Sequence, residues 1–169
     1  MFALKVREIL SGRCFACHGE DAEKVKGELD LTSRAAMLRG GESEEPAVAP
    51  RKPLASPLYL AATRGHDEDW PAMPPKENDK LSVEQLTVLK HWIELGAPWP
   101  DARAQARYIA EERAKPVTAE GVLVKTSGGL SDDWTYRRYQ PEDVWAFQPV
   151  KKPKVPVGAA NPIDAFINR

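Results

Sequence analysis

The chemistry available to this chain concentrates in residues 13–19, Arg-Cys-Phe-Ala-Cys-His-Gly, which set two thiols three positions apart with an imidazole beside the second. Cys-x-x-Cys-His is the pattern of c-type haem attachment. Thiols one helical turn apart, Cys14 and Cys17, can each add to a vinyl group of one porphyrin, and the adjacent His18 is then held beneath the ring where it can ligate iron. The blander readings each lack a partner. A zinc knuckle needs two further ligands at suitable spacing, and the chain offers only His66 and His91 besides His18, with no second Cys pair. A redox dithiol belongs after a strand in a βαβ unit, whereas Phe2 to Leu10 has helical spacing. A Cys14–Cys17 disulfide would close a very short loop, contribute little and leave His18 unexplained. The motif therefore predicts one covalently attached haem c.

A sixth ligand must return from downstream. Residues 70–75, Trp-Pro-Ala-Met-Pro-Pro, carry Met73 among three prolines that fix φ and exclude helix, so the thioether can be presented rigidly. Met73 leads, with His18 as the other metal ligand. Met37 has helical spacing within Ser33 to Leu38 and reads as a core filler. His66, in the loop from Arg64 to Asp69, and an open sixth position are the alternatives, and His91 falls inside a helix as a surface residue. A thioether opposite an imidazole raises the reduction potential and leaves no vacant iron position, which suits electron transfer better than O₂ or substrate chemistry.

Positioning these groups requires helices and stiff loops. Phe2, Val6, Ile9 and Leu10 repeat at helical spacing and lead into the motif. Ser82 with Gln85 forms a capping-box signature, and Gly96 stops the helix after Leu95. Leu86, Leu89 and Ile93 mark its apolar face, with Trp92 at the edge. Thr32 to Arg39 and Ser56 to Arg64 are shorter helical candidates between Pro- and Gly-rich loops. The fold class predicted is all-α for the first part, followed by an extension with little regular structure and possibly short strands.

The 169 residues carry 24 Lys+Arg against 25 Asp+Glu. That balance gives no basic footprint for nucleic acid, and no apolar run approaches the roughly 18 residues of a membrane span. The charge is uneven. Residues 1–101 hold 13 basic and 17 acidic side chains, net −4, whereas residues 102–169 hold 11 and 8, net +3. The expected organisation is a haem-binding domain over 1–101, a connector or extension over 102–150 packing on it, and a Pro/Lys-rich linker over 151–169 that leads to a further domain. Asp101 to Lys115 reads as a charged helix, Gly121 to Lys125 as a strand and Gly128-Gly129 as a turn. Trp145 and Phe147 either fold back onto the first domain or await a contact.

Several short motifs in order resemble the planctomycete-type cytochrome c domain. They are Val6-Arg-Glu-Ile-Leu, Arg13-Cys-Phe-Ala-Cys-His-Gly, Gly27-Glu-Leu-Asp-Leu, Arg39-Gly-Gly-Glu-Ser, Ser56-Pro-Leu-Tyr, Met73-Pro-Pro, Leu81-Ser and Trp92-Ile-Glu-Leu-Gly-Ala-Pro-Trp-Pro. The resemblance covers residues 2–101. It implies the class I cytochrome c helical fold, thioethers at Cys14 and Cys17, proximal His18 and distal Met73. Arg51 departs from the pattern, which often has Gly between Pro and Lys. The tail, Trp145-Ala-Phe-Gln-Pro-Val and Asn161-Pro-Ile-Asp-Ala-Phe-Ile, resembles the junction ahead of a further domain in large planctomycete proteins. That implies an N-terminal piece of an exported, periplasmic protein whose export signal has been trimmed.

The function expected is a mono-haem electron carrier, not an enzyme, serving a fused domain or a separate redox partner. A haem sensor with an open sixth site is the alternative, as is a partner- or carbohydrate-binding module built on Trp134, Trp145 and their neighbours. The carboxylate runs Glu42 to Glu45 and Asp67 to Asp69 read as solvated charges or as a docking face for a basic partner. Arg34, Arg39, Arg51 and Lys52 are candidates to meet haem propionates.

Overall fold

A computed structural model describes residues 1–19, 21, 23, 25–65, 70–124, 131–144, 149, 151, 154 and 161–167. They fall into two compact units, Met1–Glu112 and Arg113–Arg169.

The first unit is helical. A 3₁₀ turn over Phe2–Leu4 leads into α1 (Val6–Arg13), whose Val6, Ile9 and Leu10 are buried as their spacing requires. Helix α1 also packs against α4 (Val83–Glu94). The start of α4 is fixed by both bonds of a capping box: Gln85 N–H donates to Ser82 Oγ at 3.2 Å, and Ser82 N–H donates to Gln85 Oε1 at 2.9 Å. The stop at Gly96 is a Schellman motif. Gly96 takes φ 91°, its N–H donates to the Ile93 carbonyl, and Ala97 N–H donates to that of Trp92.

Leu89 and Ile93 are buried as expected, but Trp92 is not at an edge: it is fully buried. Its ring lies 6.0 Å from that of Phe2, which in turn stacks at 4.2 Å on Trp99, and its Nε1–H donates to the Pro98 carbonyl at 2.9 Å. Periodicity within α4 could not reveal this, because the chain that covers Trp92 comes from the N-terminus and from beyond Gly96.

Between α1 and α4 lie α2 (Arg34–Arg39), capped by Ser33, and α3 (Pro57–Thr63), with Pro57 at its first position where no N–H is needed. Ser56, just before α3, is completely buried. Its Oγ accepts from Ala49 N–H and donates to the Lys52 carbonyl, both at 2.9 Å, closing the loop that enters the helix. α5 (Ala102–Ala114) opens where Asp101 accepts the Ala104 N–H at 2.7 Å.

The second unit holds the short strands expected of the extension, so the chain as described is helical with a small sheet and not all-α throughout. Strands β1 (Val117–Thr118), β2 (Gly121–Leu123) and β3 (Arg138–Tyr139) pair antiparallel in the order β1-β2-β3, with Val122 opposite both Val117 and Tyr139. β2 begins where a strand was expected, at Gly121. Short helices α6 (Asp132–Thr135) and α7 (Pro162–Ile167) complete the unit. Trp145, Phe147, the Gly128-Gly129 turn and most of Lys151 to Pro156 lie outside the described residues.

Arg51, the departure from the family pattern, has φ 69°, in the left-handed region that favours glycine, while its N–H donates to the Ile93 carbonyl at 2.7 Å. A side chain there costs about 1–2 kcal/mol, offset by the roughly 0.5–1 kcal/mol of extra entropy that glycine loses on folding. Arg51→Gly is therefore expected to stabilise the fold by about 0.5–1 kcal/mol. Thermal melting should rise by a few degrees; a fall in the midpoint would contradict this origin of the glycine preference.

Candidate functional site

The Cys14–His18 segment continues directly from α1. Cys14 N–H and Phe15 N–H both donate to the Leu10 carbonyl, at 2.8 and 2.9 Å, and the Cys14 carbonyl accepts from Cys17 and His18 at 3.1 and 2.9 Å. Both thiols therefore sit on one turn of tightly bonded backbone, and both are free cysteines, half-buried. The following chain folds back over this turn: Lys26 N–H donates to the Cys17 carbonyl and Leu31 N–H to that of His18, each at 2.9 Å.

The return strand also sets the imidazole. His18 Nδ1 lies 3.1 Å from the Lys26 carbonyl oxygen. A carbonyl can only accept, so Nδ1 carries the proton and Nε2 keeps its lone pair. That is the arrangement in which a histidine ligates a metal through Nε2 while its other nitrogen is oriented from behind.

Gly19 allows the close return. Its φ is 131°, and a Cβ there would lie 2.5 Å from Asp30 Oδ1 and 2.6 Å from Thr32 Cγ2. The same Asp30 oxygen accepts from Thr32 N–H at 2.8 Å and Thr32 Oγ1 at 2.6 Å. A side chain at this position would strain the backbone and displace Asp30 and Thr32.

Met73 lies in non-helical chain, as its prolines require. Its N–H donates to the Ala61 carbonyl of α3 at 3.0 Å, and the residue is 39% exposed. Met37, by contrast, is 1% exposed within the core. His91 is exposed and 3.6 Å from Glu94, on the surface of α4. His66 and Asp67 to Asp69 lie outside the described residues.

Haem suits the groups present. The donors offered are one oriented imidazole and one exposed thioether, residue types that would hold a haem iron. Among the described residues no three His, Cys, Asp or Glu side chains cluster as a metal site. Half-buried apolar side chains, among them Phe15, Leu29, Leu58 and Tyr59, lie on the core near these segments. Arg64 Nε is buried with no hydrogen-bond partner among the described residues, the kind of donor a haem carboxylate satisfies.

Residues 14–77 match the family model described as Planctomycete cytochrome C. Over this segment the chain is similar to a planctomycete cytochrome c domain. No curated protein and no solved structure matches the chain. A cytochrome c domain binds haem and carries electrons, which agrees with the Cys-x-x-Cys-His motif at the start of the matched segment.

Three contacts around these residues could not be read from the sequence. The Lys26 group that orients His18 is a backbone carbonyl, which any residue would supply. Arg13, beside Cys14, pairs with Asp79 at 3.5 Å, tying the end of α1 to the chain after Met73. Arg64 holds the same stretch from α3. Among the propionate candidates, Arg34 is engaged elsewhere: its Nε–H donates to the Ala97 carbonyl at 3.0 Å, closing the C-terminal turn of α4.

Burial, and then the neighbouring Cys17, push the Cys14 thiol from 9.0 up to about 11. The unfolded thiol ionises first, so this group favours the fold below pH 9 and its contribution fades as pH rises toward 11. In haem-free protein, alkylation of Cys14 by iodoacetamide is expected to accelerate about tenfold per pH unit up to that value. A plateau already reached at pH 9 would contradict the burial.

Proposed function

We propose that this chain is a mono-haem c electron carrier with His18 and Met73 as axial ligands. Bound haem c supplies an iron that alternates between ferrous and ferric states, one electron at a time. Cys14 and Cys17 are its thioether attachment points. His18 Nε2 is the proximal donor, held to that role by the Lys26 carbonyl behind Nδ1. The single observation that carries the reading is this orientation of His18 on the same bonded turn as two free thiols.

Met73 completes the pair. It is the exposed methionine of a Pro-bounded loop anchored to α3, whereas Met37 is committed to the core. His18 and Met73 would together hold a bound iron in both oxidation states, so little of the protein would have to reorganise on electron transfer.

The electron's other terminus is a fused downstream domain or a separate redox protein, in an exported, periplasmic setting where haem c is attached. No helix among the described residues is long and apolar enough to cross a membrane. The exposed Glu42, Glu44 and Glu45 favour a partner with a basic face. Electron exchange with such a partner should slow as ionic strength rises; a rate that ignores salt speaks against a charged docking face.

Protein produced with haem-attachment machinery is expected to hold one covalent haem, scored by its haemochrome spectrum, and to show a far-red sulfur-to-iron band when oxidised. Met73→Ala should abolish that band and lower the reduction potential. Met37→Ala should keep the band while losing about 2–5 kcal/mol of stability. A colourless product with two titratable thiols would sink the haem reading, and ready binding of carbon monoxide to the reduced wild type would favour a sensor.

A further inference from the structure

Arg64 is the residue on which the Met73 loop leans. It follows α3 at φ 60°, where its N–H donates to the Ala61 carbonyl at 3.3 Å, the same oxygen that accepts from Met73 N–H at 3.0 Å. The turn that ends α3 thus meets the backbone of the ligand loop, and the left-handed conformation sends the Arg64 side chain across it.

The guanidinium then spans the residues just beyond Met73. Nη2–H donates to the carbonyls of Pro74 and, at 3.0 Å, Lys76, while Nη1 lies 2.6 Å from the Glu77 carboxylate. A planar fork with several fixed donors can hold two carbonyls and a carboxylate at once, which a lysine ammonium cannot match in geometry. The Arg64 side chain is 20% exposed and that of Glu77 65%. The exposed ion pair contributes little, and Glu77 is also held by Lys80 at 2.6 Å. Both carbonyl bonds are charge-assisted, and the one to Pro74 is part-buried.

We propose that Arg64 is a positioning residue for the sixth ligand: it holds Pro74 to Glu77 against the end of α3, so that the Met73 thioether stays on the iron. This rests on Met73 as the axial ligand. Without Arg64 the loop keeps its bond to Ala61 but loses the grip on its far side, and Met73 exchanges on and off.

The test uses the haem-loaded protein. Each hydrogen bond from a charged donor is worth a factor of roughly ten or more in equilibrium. Arg64→Ala is therefore expected to bind carbon monoxide in the reduced state at least about tenfold faster than wild type, with a weakened sulfur-to-iron band. Arg64→Lys, which keeps the charge but not the fork, should fall between the two and carries the test if the alanine variant does not fold.

Glu77→Gln should resemble wild type, and so should Ile93→Val, a core truncation that lowers stability without touching the loop. Wild-type carbon monoxide binding and band in the Arg64 variants overturn the proposal, as does an equal effect in Ile93→Val. Met73→Ala separates the two readings. If it leaves the band intact, the ligand assignment fails; if it removes the band while the Arg64 variants retain it, only the role of Arg64 fails.

Discussion

The hydrogen bond between His18 Nδ1–H and the Lys26 carbonyl is the constraint on which the rest of the site depends. A ligand histidine has two chemically similar nitrogens, and only an acceptor behind one of them decides which faces the metal. To bring that acceptor within 3.1 Å, the chain must reverse after Gly19 and return over the thiols, which it does through the bonds of Lys26 to Cys17 and of Leu31 to His18. Leu31 is buried in the core. The orientation of one imidazole is thereby anchored to the packing of the whole helical unit.

The other side is built by different means. The Met73 segment forms no helix, so its backbone is satisfied from outside, by the last turn of α3 and by Arg64. Its downstream end passes into Leu81, which is buried, and Ser82, which caps α4. Arg13 and Asp79 link this stretch to the end of α1, one residue before the first thiol. The His18 and Met73 segments thus share a support at the end of α1, although they are about 55 residues apart in sequence.

What could be read from sequence was what residue type and spacing encode. The Cys14-Cys17-His18 motif, the Ser82 and Gly96 limits of α4, the run of α5 and the start of β2 at Gly121 all depend on local chemistry, and all appear where expected. The burial of Trp92 did not, because Phe2, from the far N-terminal end of the chain, packs against it. A backbone carbonyl such as that of Lys26 has no residue signature at all. Arg51 gave a partial signal: a side chain where relatives often have glycine marked the turn, but only the backbone angle gave the reason. The three-stranded sheet was half legible, since two-residue strands such as β1 and β3 are too short to establish a period.

The bond from Met73 N–H to the Ala61 carbonyl has a consequence for loop length. It closes a loop whose two ends are fixed in space whatever lies between them. The entropy of closing such a loop grows only slowly with its length. A change in the length of chain between Ala61 and Met73 would therefore cost little in closure entropy so long as that bond is kept.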